Sequence, residues 1–212
     1  MNNTSTAATS ALAIVTAIAA TTTAEAQPAQ VTDLIAKIKS TDDKVRGPAW
    51  QAAGPLGAPA VKPLVALMAD SDYEIARSAK RALWKVVRHA GRPAQSAKAK
   101  AVVAELLLLL GSSAVPVQRE ILWMLSELSG DEAVPPIAAL LGNVDVREDA
   151  RCALQRIPGP KSLEALKAAL GTVPEEFKYA LADSLRARGE TVSGYPTKKL
   201  TPTKQTSVQA AS

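Results

Sequence analysis

The chain has 212 residues, 47% of them apolar and only 3% aromatic, with a formal net charge of +5. That length suits one domain or one short array with tails, and Ala and Leu must supply most of the packing, which favours helices over sheets. Single copies of cysteine (Cys152) and histidine (His89) exclude an internal disulfide framework, any multi-cysteine metal site and catalytic schemes that need two histidines.

In chain order, the first apolar run is "ALAIVTAIAA" at residues 11–20. It is too short for a bilayer, which takes about 20 residues. "TTTAEAQ" follows, with Ala24 and Ala26 in the small-x-small pattern that signal peptidase accepts. Residues 1–26 therefore read as a signal peptide cleaved after Ala26, although the start lacks Lys and Arg. The expected location is periplasmic or secreted, with no transmembrane segment in the mature chain.

Residues 27–190 read as an array of helix pairs. "VTDLIAKIKS", "VKPLVALMAD", "AVVAELLLLLG", "VPPIAALLGN" and "LEALKAALG" each carry apolar residues at helical spacing and each is followed by a turn. The second helix of each pair shows an inward triplet at i, i+4, i+8. The triplets are Val45, Ala49 and Ala53; Ile75, Ala79 and Leu83; Val117, Ile121 and Leu125; Val146, Ala150 and Leu154; and Phe177, Leu181 and Leu185. They recur at offsets of 30, 42, 29 and 31 residues, a spacing that marks a solenoid. One pair alone cannot bury both apolar faces, so stacking must close the core. Gly91 and Pro93 break the chain within the 42-residue step, and a longer first helix is expected after them. Pro48 is expected to kink or delay the first of the second helices and to leave the first pair frayed. The remainder, 191–212, is rich in Thr, Ser and Pro, has no helical period, and reads as a basic disordered tail.

A proline near the start of the first helix, then D-x-x-V-R or D-V-R, then A-x-x-A-L, resembles HEAT repeats. The likeness is closest to the short HEAT-like units of the bilin-lyase type. "DDKVR" (Asp42–Arg46) and "VDVREDARCAL" (Val144–Leu154) carry it, and it covers residues 30 to 190. The resemblance implies an all-α, right-handed α-solenoid of about five HEAT-like helix pairs, with the second helices lining its concave side. It implies an architecture, not an activity.

The second helix of the second pair holds the candidate contact surface. Arg77, Arg81, Lys85, Arg88 and Arg92 fall within about 80° of one another, opposite the apolar arc. No acidic residue occurs from Ile75 through Ala104, while eight Lys and Arg do. Trp84 flanks this face, and the register aligns Arg77 with Arg119 and Arg81 with Trp123. Arg77, Arg81, Trp84, Lys85, Arg88, Arg119 and Trp123 are thus the candidate partner-binding residues, since Trp offers area and Arg offers forked donors.

Other chemistry is thin. "DSDYE" (Asp70–Glu74) imitates the start of a calcium loop but lacks its glycine and terminal glutamate, so helix capping is expected instead. His89 has no second histidine and no G-x-S-x-G serine to serve. Cys152 reads as a small, half-buried hydrophobe. No catalytic residue, metal or cofactor is expected. The leading expectation is an exported, non-catalytic scaffold that binds a protein, the positive charge favouring an acidic one. The alternatives are a lyase-like or enzyme-accessory role suggested by the resemblance, and nucleic-acid binding if the leader stays. Export and the acids Glu120, Glu127, Glu148 and Asp149 on the same face weigh against nucleic acid.

Overall fold

A computed structural model describes residues 28–198, which form ten α-helices and short 3-10 turns, with no strand among the described residues. The helices are α1 (28–38), α2 (Asp43–Ala52), α3 (Val61–Leu67), α4 (Tyr73–Ala90) and α5 (Ser96–Leu110). They continue with α6 (Val115–Leu128), α7 (Val134–Ala138), α8 (Arg147–Arg156), α9 (Pro160–Leu170) and α10 (Glu175–Ala187). Among the described residues they make five consecutive pairs, α1/α2 through α9/α10. The second helices pack on one another in series, α2 on α4, α4 on α6, α6 on α8 and α8 on α10. In the other layer α3 packs on α5 and α7 on α9. The chain is therefore an all-α solenoid of stacked helix pairs.

Local chemistry starts the second helices where the spacing places them. Asp42 accepts a hydrogen bond from the Lys44 N–H at 2.8 Å, and Asp72 accepts from those of Glu74 and Ile75 at 2.8 and 3.3 Å. Of the "DSDYE" carboxylates, Asp72 thus caps α4, Asp70 accepts from the Asp72 N–H at 2.9 Å, and Glu74 pairs with Arg77. Prolines open α6, α7 and α9, where a missing N–H costs little. The 42-residue step becomes an 18-residue α4 and a 15-residue α5, separated by the Gly91–Gln95 link.

The inward triplets meet in one continuous core that runs from Val31 to Leu185. Leu83, Leu125 and Leu154 are fully buried, and each contributes roughly 1.5–3 kcal/mol relative to exposure. Two of the fifteen positions depart from this. Ile75 is half-buried, and Val45 is 38% exposed. Val45 lies in the first pair, and among the described residues no preceding pair covers it. It lines an apolar groove of about 640 Å³ with Leu34, Pro48, Ala49, Pro55 and Leu56.

One expectation is corrected here. Pro48 neither delays nor interrupts α2, which begins at Asp43 and runs through Pro48 to Ala52. The lost donor would have served the carbonyl of Lys44, an exposed residue that water can satisfy, and the Asp42 cap holds the first turn.

The motif arginines act as struts between pairs. Arg46, almost fully buried, donates to the Ser40 carbonyl at 2.7 Å, pairs with Asp43, and reaches Glu74 of the next pair at 3.9 Å. Arg147 repeats this three pairs on, reaching the aligned Glu176 at 3.5 Å and lying 4.7 Å from the Phe177 ring centroid. Gln118 occupies the same position in the third pair and donates to the Leu110 carbonyl at the end of α5, at 2.8 Å.

The C-terminal boundary also differs from expectation. Residues 191–198, assigned from composition to a disordered tail, lie non-helical against α10. The signal-peptide segment 1–26 and the rest of the tail, 199–212, lie outside the described residues.

Candidate functional site

The second helices present a ladder of tryptophans and cations. Trp50 on α2 is covered by two cations from α4, with the Arg81 guanidinium 5.3 Å and the Lys85 ammonium 5.9 Å from its ring centroid. Trp84 on α4 carries Arg88 at 5.1 Å. Trp123 on α6 carries Arg156 of α8 at 5.3 Å. In three successive pairs a guanidinium therefore lies over an indole, and two of these stacks bridge neighbouring pairs.

The seven candidate residues divide into two groups. Arg81, Lys85 and Arg88 are exposed and take part in no ion pair among the described residues. Arg77 is half-buried and committed: it pairs with Glu74 at 2.5 Å and lies 5.7 Å from the Tyr73 ring centroid. Arg119 is likewise engaged, donating to the Asp145 carbonyl at 2.6 and 3.1 Å and pairing with Asp149 at 3.4 Å. Trp84 is half-buried, and its Nε1–H donates to Glu120 at 3.2 Å. Trp123 keeps 39% of its surface exposed. The structure thus brings Arg81, Lys85 and Arg88 together as available charge, with Trp84 beside them, and turns Arg77 and Arg119 into structural ties.

The acids on this face are mostly spent. Glu120 holds Lys80 at 3.1 Å as well as Trp84. Glu127 pairs with Arg156 at 3.7 Å, and Glu148 with Arg151 at 2.9 Å. What remains unpaired along α4 and the following link is cationic. Beyond Arg88 the link carries exposed Arg92, and the start of α5 carries exposed Lys98 and Lys100.

The sequence reading passed over Trp50 and Arg156, and it counted Glu120 only as an acid on the face, not as the partner of Lys80 and Trp84. Trp50 stands in "RGPAW", two residues after the proline that suggested a frayed helix. Arg156 belongs to the next pair, and only the stacking distance between α6 and α8 brings it to Trp123. Cys152 is half-buried with a free thiol, and the Arg151 guanidinium lies 3.3 Å from its sulfur. His89 ends α4 beside the Gly54 turn, and its pKa is lowered by burial first and by Arg92 and Lys98 second. The described residues contain no group of three or more His, Cys, Asp or Glu placed to hold a metal ion, and no helix long and apolar enough to cross a membrane.

Fold and face together define a helical-repeat solenoid whose second helices carry an aromatic and cationic ladder. Among solved structures the chain is similar to a designed armadillo repeat protein in complex with the peptide (KR)4, at 20% identity and a TM-score of 0.44, covering 73% of this chain and 80% of that one. It is similar to a computationally designed armadillo repeat protein for modular peptide recognition, at 20% identity and a TM-score of 0.43 over 73% and 80% of the two chains. An engineered protein is similar at 22% identity and a TM-score of 0.40, over 74% and 78%. No protein-family model and no curated protein matches the chain.

Proposed function

We propose that this chain is a non-catalytic, exported scaffold that binds a protein partner bearing carboxylates through the second-helix face of its second pair. The observation that supports this most is the state of Arg81, Lys85 and Arg88, exposed cations without carboxylate partners among the described residues, resting on Trp50 and Trp84. A long cationic side chain normally loses rotamer freedom when it is captured. Stacking on an indole restrains it beforehand, so less is lost on binding, and the guanidinium edge stays open to a carboxylate. Trp84 and Trp123 supply apolar area at the border of the charge.

The test reverses Arg81, Lys85 and Arg88 to Glu together. Arg77 is left alone because its pair with Glu74 belongs to the fold. Capture of partners from envelope extract of the native host is expected to fail for this triple variant while its helical circular dichroism stays unchanged. Unchanged capture removes the proposed face. Export is read by N-terminal sequencing of the protein from its host, which is expected to begin at Gln27; an intact Met1 overturns it. Turnover in a screen of hydrolase and lyase substrates overturns the non-catalytic reading.

A further inference from the structure

The chain carries on its last helix a worked example of how a segment of peptide sits on such a face. In the repeat register, Arg77, Arg81 and Trp84 of α4 align with Tyr179, Asp183 and Arg186 of α10. These three α10 residues hold the strap formed by residues 192–198. Arg186 donates to the carbonyls of Val192, Gly194 and Tyr195 at 3.3, 2.8 and 2.9 Å. Asp183 accepts from the Thr197 hydroxyl at 2.7 Å. Tyr179 meets the Tyr195 ring edge-on at 5.4 Å and carries the Lys198 ammonium 3.5 Å from its ring centroid. The strap therefore runs from Arg186 back towards Tyr179, antiparallel to the helix. A left-handed turn at Gly194 and Tyr195, with φ of 71° and 45°, aims three carbonyls at one guanidinium. That conformation is uncommon for an aromatic residue, and these contacts hold it.

We propose that α4 takes a non-helical, acidic peptide segment of its partner in this same antiparallel seating, with carboxylates at alternate residues. The proposal rests on the scaffold reading above and gives its partner a conformation and a spacing. At the position of Asp183, which accepts, α4 presents Arg81, which only donates, so the residue facing it must accept. Lys85 follows one helical turn later, a rise of about 6 Å at 1.5 Å per residue. An extended chain advances about 3.3 Å per residue, and its alternate side chains, some 6.6 Å apart, share one face. Carboxylates two residues apart therefore match Arg81 and Lys85, and Arg88, stacked on Trp84, stands beside the position from which Arg186 donates to main-chain carbonyls on α10. Arg77, paired with Glu74, borders the site, with the exposed Tyr73 ring beside it.

The experiment uses the full chain and fluorescein-labelled peptides. One octapeptide alternates Glu and Thr; a second places the four Glu before the four Thr, so that charge and composition are equal and only spacing differs. Fluorescence anisotropy at low salt is expected to show the alternating peptide binding about tenfold tighter, the effect of one well-placed charged hydrogen bond. Arg81→Gln with Lys85→Gln is expected to erase that difference, and Arg186→Gln, on the strap helix, to preserve it. A photo-crosslinker on the peptide C-terminus is expected to mark residues 73–77, and one on its N-terminus to mark residues near Arg88. Equal binding of the two isomers, or crosslinks in the opposite order, overturns the proposal. So does tighter binding of a single-stranded oligonucleotide, which responds to charge density alone. A folded acidic protein that binds through Arg81, Lys85 and Arg88 while both peptides fail overturns this seating and leaves the scaffold reading standing. If neither binds, both fall.

Discussion

At the C-terminal end of the solenoid, Arg188 donates to the carbonyls of Leu154 and Gln155 at the end of α8, and to those of Ile157 and Gly159 in the turn beyond it, at 2.9–3.2 Å. At the N-terminal end, Val45 of the matching apolar triplet stands partly in solvent over a groove of about 640 Å³. Stacked repeats need their terminal units to face water, and chains meet that need with atypical last repeats. Here one end is closed by charged hydrogen bonds to helix-end carbonyls and by a strap of the chain itself. Among the described residues the other end is an apolar ledge. Stability should therefore be concentrated away from the first pair.

The largest test of that asymmetry compares aligned residues. Phe177 and Val45 occupy the same repeat position, but Phe177 is 2% exposed and braced by Arg147. Phe177→Ala is expected to cost about 3–5 kcal/mol through lost burial and a residual cavity. Val45→Ala, already wet, should cost well under about 1 kcal/mol. Urea unfolding followed by far-UV circular dichroism separates the two, and similar costs would mean that the first pair is as well packed as the last. The second test compares arginines. Arg188→Ala strips donors from several carbonyls and from Ser162, which is fully buried, and is expected to cost about 3 kcal/mol. Arg46→Ala loses one carbonyl contact and two partly exposed carboxylates, for about 1–2 kcal/mol.

These contrasts also show what the sequence could reveal. Apolar spacing along one helix reports which side faces inward, so thirteen of the fifteen triplet positions are buried as the i, i+4, i+8 pattern expects. The same spacing says nothing about whether a neighbour exists, and so Val45 looked equivalent to Phe177. On the contact face, helical angles placed Arg81, Lys85 and Arg88 together because those angles lie within one helix. They could not show that Arg77 and Arg119 are tied to acids, although Glu74 stands three residues before Arg77, where helix neighbours meet. Contacts between helices set the rest. Trp50 under Arg81 and Arg156 over Trp123 depend on stacking distances that no single-helix pattern encodes. The strap escaped a compositional reading because Ser, Thr and Pro report only the lack of helical period. Tyr195, an aromatic residue in that polar stretch, was its one visible sign.

The smallest expected effect bears on the same contrast. Gly54 follows α2 where the turn comes close to α4; a Cβ there would lie 3.1 Å from the His89 Cβ and 3.2 Å from the Lys85 carbonyl. The first pair thus docks on α4 through a contact that includes the chain's one histidine. Burial, then Arg92 and Lys98, hold the pKa of His89 below its ordinary value of 6.5. Between that lowered value and 6.5 the unfolded chain binds more protons than the folded one, so stability rises with pH across the window. The His89 contribution is whole above 6.5 and is lost as pH falls through the folded value. Arg46 with Glu74 and Trp50 under Arg81 and Lys85 also tie the first pair to α4, so the effect is expected to be small. Hydrogen exchange is expected to quicken in residues 43–56 below about pH 6.5, while α8 to α10 stay protected. His89→Gln should remove that pH step and leave the exchange of α8 to α10 unchanged. A step that appears equally at both ends, or that survives the substitution, would mean that the open end is not held through His89.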